Sequence, residues 1–323
     1  MEANKLINLI QKGIKNPGDI PSFVRRKPPI SDLTGYGWRG LPLFISRQIH
    51  KMPVSNKQKK IIWEGDWDLL IILDCCRSNW MEAVASDFDW IDTIDEAYSI
   101  ASHSREWMNK TFDNKHKKEM AKTIYITGNH YAENCLNPND FELLENVNSY
   151  KDVLENSPVP PAHVVTDRAI SLGRKYDTDR FIVHYMQPHK PFIKRHGTRY
   201  NVSIESEWSL DEELYRNYFA GGISKSELEM KFIQNLDYVL LEVEHLLNNF
   251  DAKNVVITSD HGQALGERFL WDHSPSVHHQ SMRSVPWVQT TAVDRKTIEP
   301  KTYDTGAYDT EQIRNNLEKL GYI

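Results

Sequence analysis

Short apolar runs, each ending abruptly in polar residues, recur through the middle of the chain and are separated by segments with helical spacing. The run Val255-Val256-Ile257-Thr258-Ser259 breaks into Asp260-His261-Gly262. Aliphatic and β-branched residues in a run of about four to eight, bounded by a turn signal, predict a buried strand, and glycine permits the sharp turn beyond it. Asp68 to Cys76 repeats the design, with Leu69-Leu70-Ile71-Ile72-Leu73 ending in Asp74 and Arg77 opening a helical-looking segment. A third run, Phe181-Ile182-Val183-His184-Tyr185-Met186-Gln187-Pro188-His189, ends in polar and imidazole groups before Pro191 stops it. Thr123 to Thr127, followed by Gly128, Asn129 and His130, is a fourth. Between strands, Leu228, Phe232, Leu236, Val239, Leu240 and Val243 form a helical stripe over Glu227 to Phe250. Strand and helix in alternation predict an α/β fold, a mostly parallel central sheet with helices on both faces.

The periodicity is weak at both ends. Residues 1–62, punctuated by Pro17, Pro21, Pro28 and Pro29, read as an N-terminal extension packed on the core, and 63–323 as one α/β catalytic domain. Within the extension, Leu6 to Lys15 places Ile7, Leu9, Ile10 and Ile14 near helical spacing, which suits packing on the protein itself or on a partner better than on a membrane. The tail from Asp294 ends in a helical segment near Thr310 to Leu320.

Composition narrows the classes. With 323 residues and 40% hydrophobic content, one large α/β domain can bury a sizeable core. The net charge of -6, from 39 basic and 45 acidic residues, gives no footprint for nucleic acid. No stretch approaches the roughly 20 apolar residues of an integral membrane segment, and no hydrophobic signal core stands at the N-terminus. Of the 3 cysteines two are adjacent, Cys75 and Cys76, which does not make a disulfide framework and fits a reducing, cytoplasmic location.

The polar strand ends carry the candidate chemistry. Asp74, Asp260 and His261 fall at the carboxyl ends of buried strands, where an open α/β sheet keeps its ligands, and offer carboxylate oxygens and an imidazole nitrogen to a divalent metal. Such an ion polarises an ester oxygen and lowers the pKa of a coordinated hydroxyl. The hydroxyl falls in Ser99-Ile100-Ala101-Ser102-His103-Ser104-Arg105-Glu106-Trp107, which opens an amphipathic pattern. A serine at a helix N-terminus gains from the dipole and from free amides. Ser102 and Ser104 are both suitable nucleophiles, with Arg105 a candidate contact for the ester's anionic oxygens.

Leu73-Asp74-Cys75-Cys76-Arg77, His184-Tyr185-Met186-Gln187-Pro188-His189-Lys190-Pro191-Phe192, Thr258-Ser259-Asp260-His261-Gly262-Gln263-Ala264-Leu265-Gly266-Glu267 and Val285-Pro286-Trp287-Val288 occur in that order from about residue 60 to 290. In these motifs the chain resembles the sulfatase-like branch of the alkaline phosphatase superfamily. The resemblance implies a metal-dependent hydrolase of small-molecule or glycan sulfate or phosphate esters, with one or two divalent ions. Oxygen ligands favour Mn²⁺, Mg²⁺ or Ca²⁺, and added imidazoles shift the balance toward Zn²⁺ or Mn²⁺. It also implies substrate-binding positions at His184, His189, Lys190 and, in Trp271-Asp272-His273, His273. The Glu106-Trp107 pair is similar to an acid-aromatic pair of metal-dependent phosphoglycerol transferases, which implies Ser102 as nucleophile, whereas the soluble relatives imply the Ser104 position. Two departures matter. Ala101-Ser102-His103-Ser104-Arg105 holds neither the Cys nor the Pro of a formylglycine motif, so an unmodified serine is expected. Asp74-Cys75 replaces the usual paired acids, so a ligand is exchanged for a thiol or lost. The alternatives are a phosphotransferase of the phosphoglycerol, phosphoethanolamine or mutase kind that modifies a glycan or lipid head group, and a non-catalytic binding or scaffold homologue.

Overall fold

The four strands predicted from apolar runs line up side by side in the computed structural model, which describes residues 57–150, 159–205 and 211–304. The candidate helices at Leu6 to Lys15 and Thr310 to Leu320 lie outside the described residues, as does most of the proline-rich segment 1–62. Strand β1 (Leu69–Asp74) is central, paired in parallel with β5 (Arg180–Pro188) on one side and β8 (Ala252–Ser259) on the other. Beyond β5 come β3 (Thr123–Thr127) and β4 (Leu143–Asn146), also parallel. Beyond β8, β11 (Ser284–Ala292) runs antiparallel and pairs in turn with β2 (Asp95–Tyr98). The sheet therefore has 7 strands in the order β2-β11-β8-β1-β5-β3-β4. Two short hairpins stand apart, β6 (Ile193–Arg195) with β7 (Val202–Ile204), and β9 (Ala264–Leu265) with β10 (Trp271–Asp272).

The two-residue period of a strand divides the core. Leu69, Ile71 and Leu73 of β1 join Phe181, Val183, Tyr185, Val255 and Ile257 on one face. There α2 (Ser78–Val84), α4 (Ala162–Lys175) and α5 (Lys225–Leu247) bury Trp80, Val165, Phe232, Leu236 and Val243 against them. Leu70, Ile72, Ile182 and Val256 point to the other face, where Trp63 of α1 (Lys57–Glu64) and Trp107 and Met108 of α3 (Ser104–Thr111) cover them. Helix α5 starts where its sequence says it should. Ser224 and Glu227 form a reciprocal capping box, which satisfies first-turn amides that otherwise lack partners. Among the described residues no helix is long and apolar enough to cross a membrane.

Away from the strand ends, one buried polar network fastens the β6–β7 hairpin to the helices. Arg199 forks onto Glu242 of α5 and reaches Asp167 of α4 at 2.6 Å, while Tyr303 donates to the other Asp167 oxygen at 2.8 Å. His163 lies beside this network, and burial, reinforced by Arg199 and Lys301, pushes its imidazole down to about 3. Because its folded pKa lies below the ordinary value near 6.5, the unfolded chain binds the extra proton. The stability it contributes is present above about pH 6.5 and is lost as the pH falls, by up to about 1.4 kcal/mol per pH unit for such a group. Urea midpoints measured at pH 7 and pH 5 are expected to drop for the wild type and to drop less for His163→Gln.

Candidate active site and metal centre

Side-chain alternation along the three central strands brings a second set of residues to the face that α3 covers. Ile72 is in register with His184 on β5 and with Thr258 on β8, so one step further along each strand the chain delivers Asp74 and Asp260 beside His184. The strand ends are tied together by Ser259. Its hydroxyl accepts from Cys76 N–H at 2.9 Å and sits within hydrogen-bonding distance of the Leu73 and His261 carbonyl oxygens, at 2.5 and 2.6 Å. Gly262 follows because no side chain fits there. A Cβ would come 2.4 Å from the Ser281 carbonyl oxygen.

Each carboxylate commits one oxygen to the protein and turns the other inward. Asp260 Oδ1 accepts from His261 N–H at 2.8 Å and Cys75 N–H at 3.2 Å. Asp74 Oδ2 accepts from Asn129 Nδ2 at 2.8 Å and from the Ser104 hydroxyl at 3.2 Å. Asp74 Oδ1, Asp260 Oδ2 and His184 Nε2 are buried with no hydrogen-bond partner. Asp74, Asp260 and His184 each offer a ligand atom, all within 4.8 Å of one another. His261 Nε2 joins them, 3.6 Å from Asp74 Oδ1 and 3.4 Å from Asp260 Oδ2. Unpaired polar atoms cost free energy in a buried site, and converging oxygens and nitrogens fit a divalent cation. Burial, then the neighbouring Asp260 charge, raises the Asp74 carboxyl well above its ordinary value despite hydrogen bonds from Ser104 and Asn129. A cation removes that repulsion.

Backbone partners set the imidazole tautomers. His261 Nδ1 faces the Gly262 carbonyl at 2.8 Å, which can only accept, so the ring proton is on Nδ1 and the Nε2 lone pair points at the carboxylates. Burial pushes the His261 and His184 pKa values down to about 4, against the opposing charge of Asp260. His184 Nδ1 meets Tyr125 Oη at 2.8 Å. His189 Nδ1 donates to the Lys190 carbonyl at 2.6 Å, and His273 Nδ1 faces Gln263 Oε1 and Asp272 Oδ1, both at 2.8 Å. The His273 ring lies 4.8 Å from that of His261 and 5.0 Å from that of His189.

Ser102 and Ser104, level as candidates in the sequence, have different surroundings. Ser104 is the first residue of α3, its Oγ 3.1 Å from His261 Nε2 as well as 3.2 Å from Asp74. Ser102 faces away. Its hydroxyl donates to the Ser274 carbonyl at 2.7 Å and accepts from Val277 N–H at 3.0 Å, pinning a distant loop. Arg105 is exposed, with its guanidinium 4.7 Å from the Tyr131 ring centre, outside the cluster of donors. Lys190 is 2% exposed, its Nζ 3.8 Å from Asp272 and 4.6 Å from the Tyr215 ring centre. Cys75, at φ 59, is not in the group of converging ligand atoms. Burial, then Asp74 and Asp260, pushes its thiol well up, which makes it a poor thiolate ligand. Arg283 binds the carbonyls of Val277 and Ser99, at 2.6 and 3.0 Å. Arg77 forms an ion pair with Glu267 at 2.8 Å, which joins the first strand's motif to the Leu265-Gly266-Glu267 turn.

Two residues here carried no assignment from sequence. Asn129 follows the end of β3, a position that marks polar residues past a parallel strand as site candidates. His103 is the N-cap of α3, where serine, threonine and aspartate are the usual signals and histidine is not.

No family model matches the chain, and no curated protein matches it. Solved structures do. The soluble domain of lipooligosaccharide phosphoethanolamine transferase A from Neisseria meningitidis is 14% identical, with a TM-score of 0.48 over 71% of this chain and 78% of that one. The C-terminal periplasmic domain of EcEptC from Escherichia coli, in complex with Zn, is 11% identical with a TM-score of 0.41, over 84% of this chain and 86% of that one. The phosphonate monoester hydrolase of Agrobacterium radiobacter is 12% identical with a TM-score of 0.40, over 68% and 67%. With TM-scores below 0.5, the chemistry of the site rests on its own side chains.

Proposed function

We propose that this protein is a metal-dependent hydrolase of phosphate or sulfate esters in which Ser104 is the nucleophile, without formylglycine. One observation carries the reading: a buried serine hydroxyl at a helix N-terminus, 3.2 Å from Asp74 Oδ2 and 3.1 Å from His261 Nε2, beside three buried donor atoms that have no partner. Asp74, Asp260 and His261 would hold a divalent ion, with His184 in reach. Bound there, such an ion supplies charge neutralisation to the ester and a lowered pKa to the coordinated hydroxyl. The imidazole donors favour Zn²⁺ or Mn²⁺ over Mg²⁺ or Ca²⁺.

The protein's own groups account for the remaining steps. Ser104 Oγ forms a bond to phosphorus or sulfur as the bond to the leaving oxygen breaks in line, and its proton passes to Asp74 Oδ2. The leaving oxygen takes its proton from solvent water, and His273, whose Nδ1 sits 2.8 Å from the Asp272 carboxylate, lines the site beside it. Water, or an acceptor alcohol in a transferase, then releases the group from Ser104. Lys190 is buried with its Nζ 3.8 Å from Asp272, and a positive charge held there would favour phosphate over the less charged sulfate.

The test is turnover of p-nitrophenyl phosphate, bis(p-nitrophenyl) phosphate and p-nitrophenyl sulfate by chelator-stripped protein, with Zn²⁺, Mn²⁺, Mg²⁺ and Ca²⁺ restored singly. Activity that returns with Zn²⁺ or Mn²⁺ and is highest on a phosphate ester is the expected result. Undiminished turnover after stripping, with no metal bound, would overturn it.

A further inference from the structure

Four imidazoles contact one another at the site, and in three of them Nδ1 faces an oxygen that can only accept. In its neutral form each of His261, His189 and His273 carries its proton on Nδ1, held by Gly262 O, Lys190 O and Gln263 Oε1 respectively. Lone pairs suit metal ligands and bases, and they repel the oxygens of an anionic ester. His103 is wired the other way. Its Nδ1 accepts from Arg105 N–H at 3.1 Å, and a backbone amide can only donate, so the ring proton of the neutral form is on Nε2. The ring is half-buried, 5.4 Å from His273 and 6.3 Å from His261, and belongs to the residue immediately before Ser104. Its Nε2 lies 3.4 Å from Tyr131 Oη, a long contact that an incoming oxygen can displace.

We propose that His103 is a catalytic residue that donates its Nε2–H to a non-bridging oxygen of the ester anion while Ser104 attacks. The helix cap does two things here. It starts α3 at Ser104, and it fixes the tautomer that turns an N–H toward the anion. No proton is transferred, so a single hydrogen bond that strengthens as charge develops is its whole contribution. The assignment rests on Ser104 as the nucleophile of the proposed reaction.

Two substitutions separate the cap from the donor. In His103→Asn the side-chain oxygen takes the place of Nδ1 and keeps the cap while losing the reach of Nε2, so this variant is expected to melt like the wild type. Its kcat/KM for p-nitrophenyl phosphate should fall about tenfold to a hundredfold, and its affinity for inorganic phosphate, measured by calorimetry on metal-loaded protein, about tenfold. His103→Gln places an amide near the Nε2 position, gives up the cap, and should retain most of the phosphate affinity at a lower melting temperature. A His103→Asn protein that binds phosphate as the wild type does, with His103→Gln the weaker binder, would overturn the assignment and leave His103 a cap alone. Ser104→Ala serves as the control for the underlying reading. Wild-type turnover in Ser104→Ala would sink the nucleophile, whereas the phosphate affinities of the two His103 variants decide the donor whether or not turnover is seen.

Discussion

Ser104→Ala is expected to lower turnover of a phosphate-ester probe by about a thousandfold or more, whereas Ser102→Ala should lower the melting temperature with far less effect on turnover. The difference follows from what each hydroxyl touches. Ser104 Oγ faces Asp74 and His261, and an enzyme that loses its nucleophile keeps only what binding and charge stabilisation supply. Ser102 Oγ bridges Ser274 O and Val277 N–H inside the protein, so its removal leaves a buried amide and carbonyl unsatisfied, at a cost of about 1–3 kcal/mol. Steady-state kinetics and thermal melts of the two variants, run side by side, check both halves. Full activity in Ser104→Ala, or loss of activity without loss of stability in Ser102→Ala, would exchange the roles.

Metal content should respond as strongly to Asp260→Asn, with affinity for Zn²⁺ falling at least about a hundredfold and turnover with it. Asp260 Oδ2 is one of the buried oxygens without a partner, and an amide in its place offers a neutral oxygen or a nitrogen that cannot ligate. The geometry of the loop should survive, because Asn can still accept from the amides of Cys75 and His261 through Oδ1. Adding Zn²⁺ to stripped protein is therefore expected to raise the melting temperature of the wild type and to leave that of Asp260→Asn unmoved. Equal metal content in both, measured by elemental analysis, would remove Asp260 from the ligand set.

The four central strands were legible because they are buried on both faces, which turns them into plain apolar runs, and the proposed metal ligands were legible because they fall where such runs end. Asp74, Asp260 and His261 were visible for that reason. The edge strand β2, Asp-Glu-Ala-Tyr, has no apolar run and gave no signal. The two serines could not be ranked from sequence. Which hydroxyl faces the acids depends on where α3 begins and on loop 274–277, remote in the chain, which captures Ser102. The pair Glu106-Trp107, which as a motif pointed to Ser102, serves packing and loop anchoring here. Glu106 accepts from Ser102 N–H at 3.2 Å and Ser276 N–H at 2.9 Å, and Trp107 donates to Gln58 at 2.9 Å. Asn129 and His103 were hidden because their residue types also serve as ordinary turn and loop residues, and only their hydrogen bonds distinguish them.

The converging groups come from Asp74, Ser104, Asn129, His184 and Asp260, which are far apart along the chain and meet only when β1, β3, β5 and β8 lie side by side. Contacts of such long sequence separation close late, because the loops between them must first be ordered. A fragment that ends before β5 holds Asp74, Ser104 and Asn129 but neither His184 nor Asp260, so the proposed ligand set would still be incomplete in it. Under the proposed function the ion would bind only after the sheet has formed, and its capture would report that the last parallel strand has docked.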